Sequence, residues 1–170
     1  MDASDERSQK IEDKLGAAQA AGGIGTFVID ILSDVISATP EFSRLYGLDH
    51  QDTRPATDFE KVVLPDDNQF VSHPDNRKAG EAATEVEYRI RRADTGEVRW
   101  IARKGEFERD GDGNPLRFIG VARDVTARRT SENNLRKTQQ KLALALEATG
   151  VGTFDYDLAN NVLEWDDRCR

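Results

Sequence analysis

Glu85-Val86-Glu87-Tyr88-Arg89-Ile90-Arg91 alternates strictly between apolar and charged side chains, and the rest of the chain can be read outward from it. Val86, Tyr88 and Ile90 share one side. Period-two alternation of this kind marks a strand with one buried face. Asp94-Thr95-Gly96 then reads as a hairpin turn, with Gly96 placed where positive φ is needed. A second strand is expected from about Glu97 to Arg109, through Val98, Trp100 and Ala102, with Gly105 as a candidate bulge. Asp110-Gly111-Asp112-Gly113-Asn114-Pro115 turns the chain into a third strand, from Leu116 to Val125. The centre of that strand is apolar on both faces, as in a strand covered on both sides. Thr126 opens a long polar helix.

Upstream, a short helix is expected from Ile11 to Ala21, with Ile11, Leu15 and Ala18 on one side. Gly22-Gly23-Ile24-Gly25 ends that helix and opens a strand. This order is wrong for a dinucleotide-binding loop, which runs strand, loop, helix. Thr26 to Ile31 and Val35 to Ala38 read as two strands. Thr39-Pro40 starts a helix that ends near Gly47, with Thr39 as the expected N-cap. Thr57-Asp58-Phe59-Glu60 reads as a capping box. Pro65 starts a further helix that Asp66 can cap, and a last helical piece lies between Asp75 and Ala83. Two strands, several short helices and three strands make an α+β pattern with one five-stranded antiparallel sheet, helices on one face, and flanking N-terminal and C-terminal helices.

Glu87-Tyr88-Arg89-Ile90, then Asp94, Gly96-Glu97-Val98-Arg99-Trp100, then Phe118-Ile119-Gly120-Val121 and Asp124-Val125-Thr126 together resemble the C-terminal half of a PAS sensor domain. The resemblance covers roughly Leu15 to Thr126. It implies the PAS fold and, less directly, a sensory role in signal transduction. It also implies that Asp124 and Thr126 couple the last strand to the output helix.

The tail repeats the start. Gly23-Ile24-Gly25-Thr26-Phe27 and Gly150-Val151-Gly152-Thr153-Phe154 stand 127 residues apart. Leu15 and Leu142, Ala18 and Ala145, Asp30 and Asp157, and Val35 and Val162 keep the same offset. The organisation expected is a polar tail over 1–10, a PAS domain over 11–126, a linker helix over 127–148 and the start of a second PAS copy over 149–170. A lone hairpin is marginal in water, so 152–170 is expected to move freely or to dock elsewhere. Within the linker, Leu135, Thr138, Leu142, Ala145 and Thr149 fall at coiled-coil spacing. The seam reads either as a solvated linker or as a dimer contact that transmits a twist.

Composition narrows the function. The 170 residues are 37% hydrophobic and 33% charged, with net charge −8. An acidic chain lacks the basic footprint that nucleic acid requires. No apolar run approaches the length of a membrane span. The N-terminus has no apolar signal core, and the lone Cys169 allows no disulfide framework, which fits the cytoplasm. Asp110 to Asn114 resembles the start of a calcium loop, but Pro115 and Val121 stand where Gly and Glu are required. His50 and His73 lack the helical context of a phosphoacceptor. Haem through His73 is disfavoured by Pro74. Flavin adduct chemistry is excluded, because the middle region has no Cys and Ala122 stands where light sensors of the family carry Gln. No catalytic constellation is visible, so the cofactor stays unnamed.

A cavity between sheet and helices is the remaining candidate site, with Tyr88, Ile90, Trp100, Phe118, Gly120 and Ala122 expected on one face. Small residues at 120 and 122 leave room for a ligand unless Phe42, Leu45, Tyr46, Phe59 and Phe70 fill it. No charged anchor points inward on this reading, so the ligand would be small or apolar. The expected role is the sensory PAS module of a sensor histidine kinase, homodimeric through its N-terminal and linker helices. A diguanylate cyclase or phosphodiesterase is the alternative host, and a purely structural dimerisation module is the rival from another class.

Overall fold

The computed structural model describes residues 22–149, 154–157, 159–160 and 162–165. The expected polar tail, the helix from Ile11 to Ala21 and the ends of the second copy lie outside these residues. The chain divides after Thr126 into two compact units.

Hydrophobic alternation builds the first unit as expected. Strands β1 (Ile24–Asp30), β2 (Val35–Ala38), β4 (Glu85–Arg91), β5 (Val98–Arg109) and β6 (Pro115–Asp124) all form. A sixth strand, β3 (Thr53–Pro55), adds to the edge of β2 and corrects the expected count of five. Three residues containing a proline give no alternation to read, and Pro55 is tolerated because an edge strand needs no donor on its outer side. The sheet order is β3-β2-β1-β6-β5-β4, and every neighbouring pair is antiparallel. The hairpin between β4 and β5 turns at Gly96, whose φ of 71° a side chain would resist.

Short helices cover one face. These are α1 (Pro40–Tyr46), α2 (Thr57–Glu60), a 3-10 helix (Pro65–Phe70) and α3 (Pro74–Ala79). The proline starts at Pro40 and Pro65 were read correctly, but the caps were not. Thr39 sits at the N-cap of α1 without capping it. Its hydroxyl accepts the Thr26 N–H at 3.0 Å instead. The capping box at Thr57 is absent, because the Glu60 carboxylate turns to Arg77 at 2.8 Å. Asp66 is exposed, and Leu64 holds the cap position of the 3-10 helix. Thr39 and Glu60 were drawn to tertiary partners in place of the local caps.

The core lies between sheet and helices. Phe42 packs against Phe27, Tyr46 and Phe59 with ring centroids 4.9–5.0 Å apart. Phe118 joins this cluster through Phe27 and Phe107. Each such pair adds about 0.5–1.5 kcal/mol beyond area burial.

Register overturns two expectations. Gly105 stands directly opposite Gly120 in a regular ladder, and the irregularity in β5 falls between Glu108 and Arg109. Tyr88 pairs with Ile101, so Ile101 and Arg103 face the helices, and Val98 and Trp100 face away. Trp100 therefore does not share a face with Tyr88, Ile90, Phe118, Gly120 and Ala122. Both parities of β5 carry apolar residues, and pairing with β4 chooses between them.

The second unit holds the body of helix α4 (Thr126–Thr149), which lacks Gly and Pro as a long helix should. It also holds an antiparallel hairpin of β7 (Phe154–Asp157) and β8 (Val162–Trp165), with Phe154 opposite Trp165.

Candidate functional site

The junction between β6 and α4 is closely tied. Asp124 Oδ1 accepts the Thr126 N–H at 2.8 Å, which satisfies one of the first donors of the helix. The Thr126 hydroxyl does not cap; it accepts the Trp100 backbone N–H at 2.9 Å. The Val125 N–H in turn donates to the Trp100 carbonyl at 2.8 Å. Asp124 Oδ2 accepts from Arg99 Nη1 at 3.2 Å, and Arg99 Nη2 donates to Glu97 at 2.7 Å. The last residues of β6 and the first of α4 are thus bonded to the start of β5.

A polar chain on the outer face reaches the same point. The Arg89 guanidinium lies 5.6 Å from the Trp100 ring centroid. Arg89 also donates to both Asp67 oxygens, at 2.9 and 2.6 Å, and its N–H reaches Asp67 at 2.7 Å. The Arg89 guanidinium bonded to Asp67 holds that carboxyl below the usual carboxylate range. Asp67 belongs to the 3-10 helix, so a helix over the core is linked to the strand that meets Thr126.

The interior is fuller than the small residues at 120 and 122 imply. Phe27 is paired opposite Gly120, and a Cβ added at 120 would lie 2.7 Å from its ring. The space expected beside Gly120 is Phe27. Phe42, Tyr46 and Phe59 fill the core as the packed alternative required, while Phe70 is 44% exposed. A cavity of about 30 Å³ survives between Tyr46, Tyr88, Phe59, Ser72, Arg77 and Arg103, among others.

This cavity is not apolar. Arg77 is 1% exposed, and it bonds Asp34, Glu60 and the Ser72 carbonyl. Arg103 is 5% exposed and donates to Ser72 Oγ at 2.7 Å. The expectation that no charged group points inward is therefore corrected. A charged residue at a buried position of an alternating strand was the available signal for Arg103. Arg77 carried no such signal, since it sits on a short polar helix. The Tyr46 and Tyr88 hydroxyls meet at 2.6 Å, and burial pushes both phenols up.

On the opposite face, Ile119 and Val121 are exposed at 37% and 39%. They share a shallow groove of about 680 Å³ with Thr26, Val28, Ser37 and Lys104. His50 lines that groove beside Asp52. His73 is half exposed, with its ring against the Asn68 carbonyl. Among the described residues, no cluster of His, Cys, Asp or Glu has the makings of a metal site. No described helix is long and apolar enough to cross a membrane.

A family model described as PAS fold matches residues 35–122, about half of the chain. Probable diguanylate cyclase DgcE of Escherichia coli is 25% identical over 155 residues, spanning 89% of this chain and 14% of that protein. A sensory box histidine kinase/response regulator structure from Burkholderia thailandensis superposes with a TM-score of 0.62 at 23% identity, covering 76% of this chain and 98% of that one. The N-terminal domain of a diguanylate cyclase with PAS/PAC sensor from Marinobacter aquaeolei gives 0.54 at 20% identity, covering 62% and 98%. At such identities the structural likenesses speak to fold.

Proposed function

The chain belongs to the PAS-fold family, and from that premise we propose that it relays a signal from its sheet into helix α4 of a longer protein, a sensor histidine kinase. It works by binding and relay, without turnover. The observation that carries this reading is the bonding of Thr126 and Asp124 to β5. A change of twist or register in β5 must move Thr126, and with it the first turn of the helix. Phe118, Ala122, Tyr88 and Ile90 are the inner-face residues through which an occupant of the core would act on those strands. The same fold occurs in the sensory box histidine kinase/response regulator structure.

A diguanylate cyclase host is the second reading. The 25% identity to the probable diguanylate cyclase, across 89% of this chain, favours it. Leu135 and Leu142 are a heptad apart and exposed at 61% and 60%. This supports a homodimer that pairs through α4; a cytoplasmic location and a contribution of the N-terminal segment to the contact are part of the same proposal. A structural dimerisation module would share the dimer but not the relay.

The test is made in the whole parent protein. Asp124→Ala combined with Thr126→Ala is expected to change basal output several-fold while the circular dichroism of the sheet stays as it was. Output equal to wild type would count against relay at this junction. Incubation with labelled ATP or GTP distinguishes the hosts, by phosphohistidine or by cyclic dinucleotide.

A further inference from the structure

Arg103 is a buried cation that touches no carboxylate among the described residues. It stands on the inner face of β5, between Val86 of β4 and Ala122 of β6. Nη1 donates to Ser72 Oγ at 2.7 Å and Nη2 to the Ala83 carbonyl at 2.9 Å, both neutral acceptors. The guanidinium carbon lies 5.2 Å from the Phe118 ring centroid. Its Nε–H is buried without an acceptor. The carboxylates of Asp34 and Glu60 both bond Arg77, and Arg103 makes no direct ion pair among the described residues. Removing a guanidinium from water without a counter-charge is costly.

A second donor faces the same space. In the Tyr46–Tyr88 contact one hydroxyl donates and the other accepts, so one hydroxyl hydrogen is left for a third group. Both phenols are raised by burial and stay protonated at neutral pH, and the charge of Arg103 acts on both. Tyr46, Tyr88, Ser72 and Arg103 all line the cavity of about 30 Å³, together with Arg77 and the Glu60 carboxylate that it bonds. One water needs about 10–15 Å³ on this measure. The space therefore takes an occupant of a few heavy atoms at most, and the donors that meet there ask for an acceptor.

We propose that this cavity is the site of a small anion, of the size of chloride, formate or nitrate. Arg103 supplies its free Nε–H and its charge, and the tyrosine pair supplies the remaining hydroxyl hydrogen. The proposal rests on the sensory reading above and names the chemical class of what is bound. Tyr46 belongs to α1, Tyr88 to β4 and Arg103 to β5, so an occupant ties a covering helix to the strand that carries Trp100.

The purified chain is titrated with sodium formate, nitrate and chloride, with ionic strength held constant by gluconate, which is too large for the cavity. The Arg103 Nε–H resonance is followed by nitrogen-15 NMR and the thermal midpoint by scanning fluorimetry. At least one of the three anions is expected to shift that resonance and to raise the midpoint by several degrees along one saturating curve. Arg103→Met is expected to abolish the rise in midpoint. The proposal is overturned if no anion moves the resonance or the midpoint beyond gluconate, or if Arg103→Met responds as wild type does. Should Arg103→Met fail to fold, the wild-type resonance still decides. A negative result leaves the relay reading intact, since that reading is tested at Asp124 and Thr126 without any ligand.

Discussion

Gly120 and Phe27 show how a single side chain sets the interior. The hydrogen at position 120 lets the Phe27 ring cross the sheet surface and reach Phe118 and Phe42. Gly120→Ala would drive a methyl against that ring and the Lys104 carbonyl. It is expected to cost about 1–3 kcal/mol of stability, as overpacking does, measured by urea unfolding. Asp67 gives a pH-dependent counterpart. Its folded pKa lies below the unfolded value of about 3.9. Its contribution is therefore complete above about pH 4 and is lost as pH falls through the folded value. Asp67→Asn should lower the thermal midpoint by a few degrees at pH 7, and the gap from wild type should narrow progressively as pH falls below about 4. A gap that stays constant would mean that Asp67 acts through shape alone. Neither role was visible in sequence: Asp67 is one of a run of acids, and its inward turn depends on where Arg89 arrives.

Elements were legible where the pattern was long. Strands β1, β2, β4, β5 and β6 follow from periodicity, and the helix starts at Pro40 and Pro65 from their prolines, while Pro74 was legible only as a boundary although it starts α3. Caps were misread because Thr39 and Glu60 each found a partner distant in sequence. The face of β5 was misread because Trp100 and Ile101 are adjacent and both apolar. The junction depends on that face. With Trp100 on the outer side, its backbone N–H meets the Thr126 hydroxyl. Thr126→Val keeps the shape and removes this acceptor. Hydrogen exchange at the Trp100 amide is expected to speed up roughly tenfold, the equivalent of about 1.4 kcal/mol. An unchanged exchange rate would mean that the Thr126 hydroxyl does not hold β5.

After the PAS fold the chain runs on as helix α4, from Thr126 to Thr149. Leu135, Leu142 and Leu144 are exposed at 60–65% along that helix. A single exposed Leu needs no explanation, but a heptad pair invites a copy of itself. Leu135→Glu with Leu142→Glu should shift sedimentation from dimer to monomer without loss of the sheet's circular dichroism. A wild-type chain that is already monomeric at tens of micromolar would remove the dimer. At the tail, β7 and β8 pair as a hairpin.

Apolar alternation, proline placement and spaced motifs were enough to establish the α+β architecture and the family, because those signals are local and repeat along one strand or one turn. Which residues face the interior was settled by pairing between strands remote in sequence. Register alone turned Trp100 outward and Arg103 inward. It also set Phe27 across Gly120, filling the space that small residues had promised. Burial is a property of what arrives from elsewhere in the chain, and no window of neighbouring residues contains it.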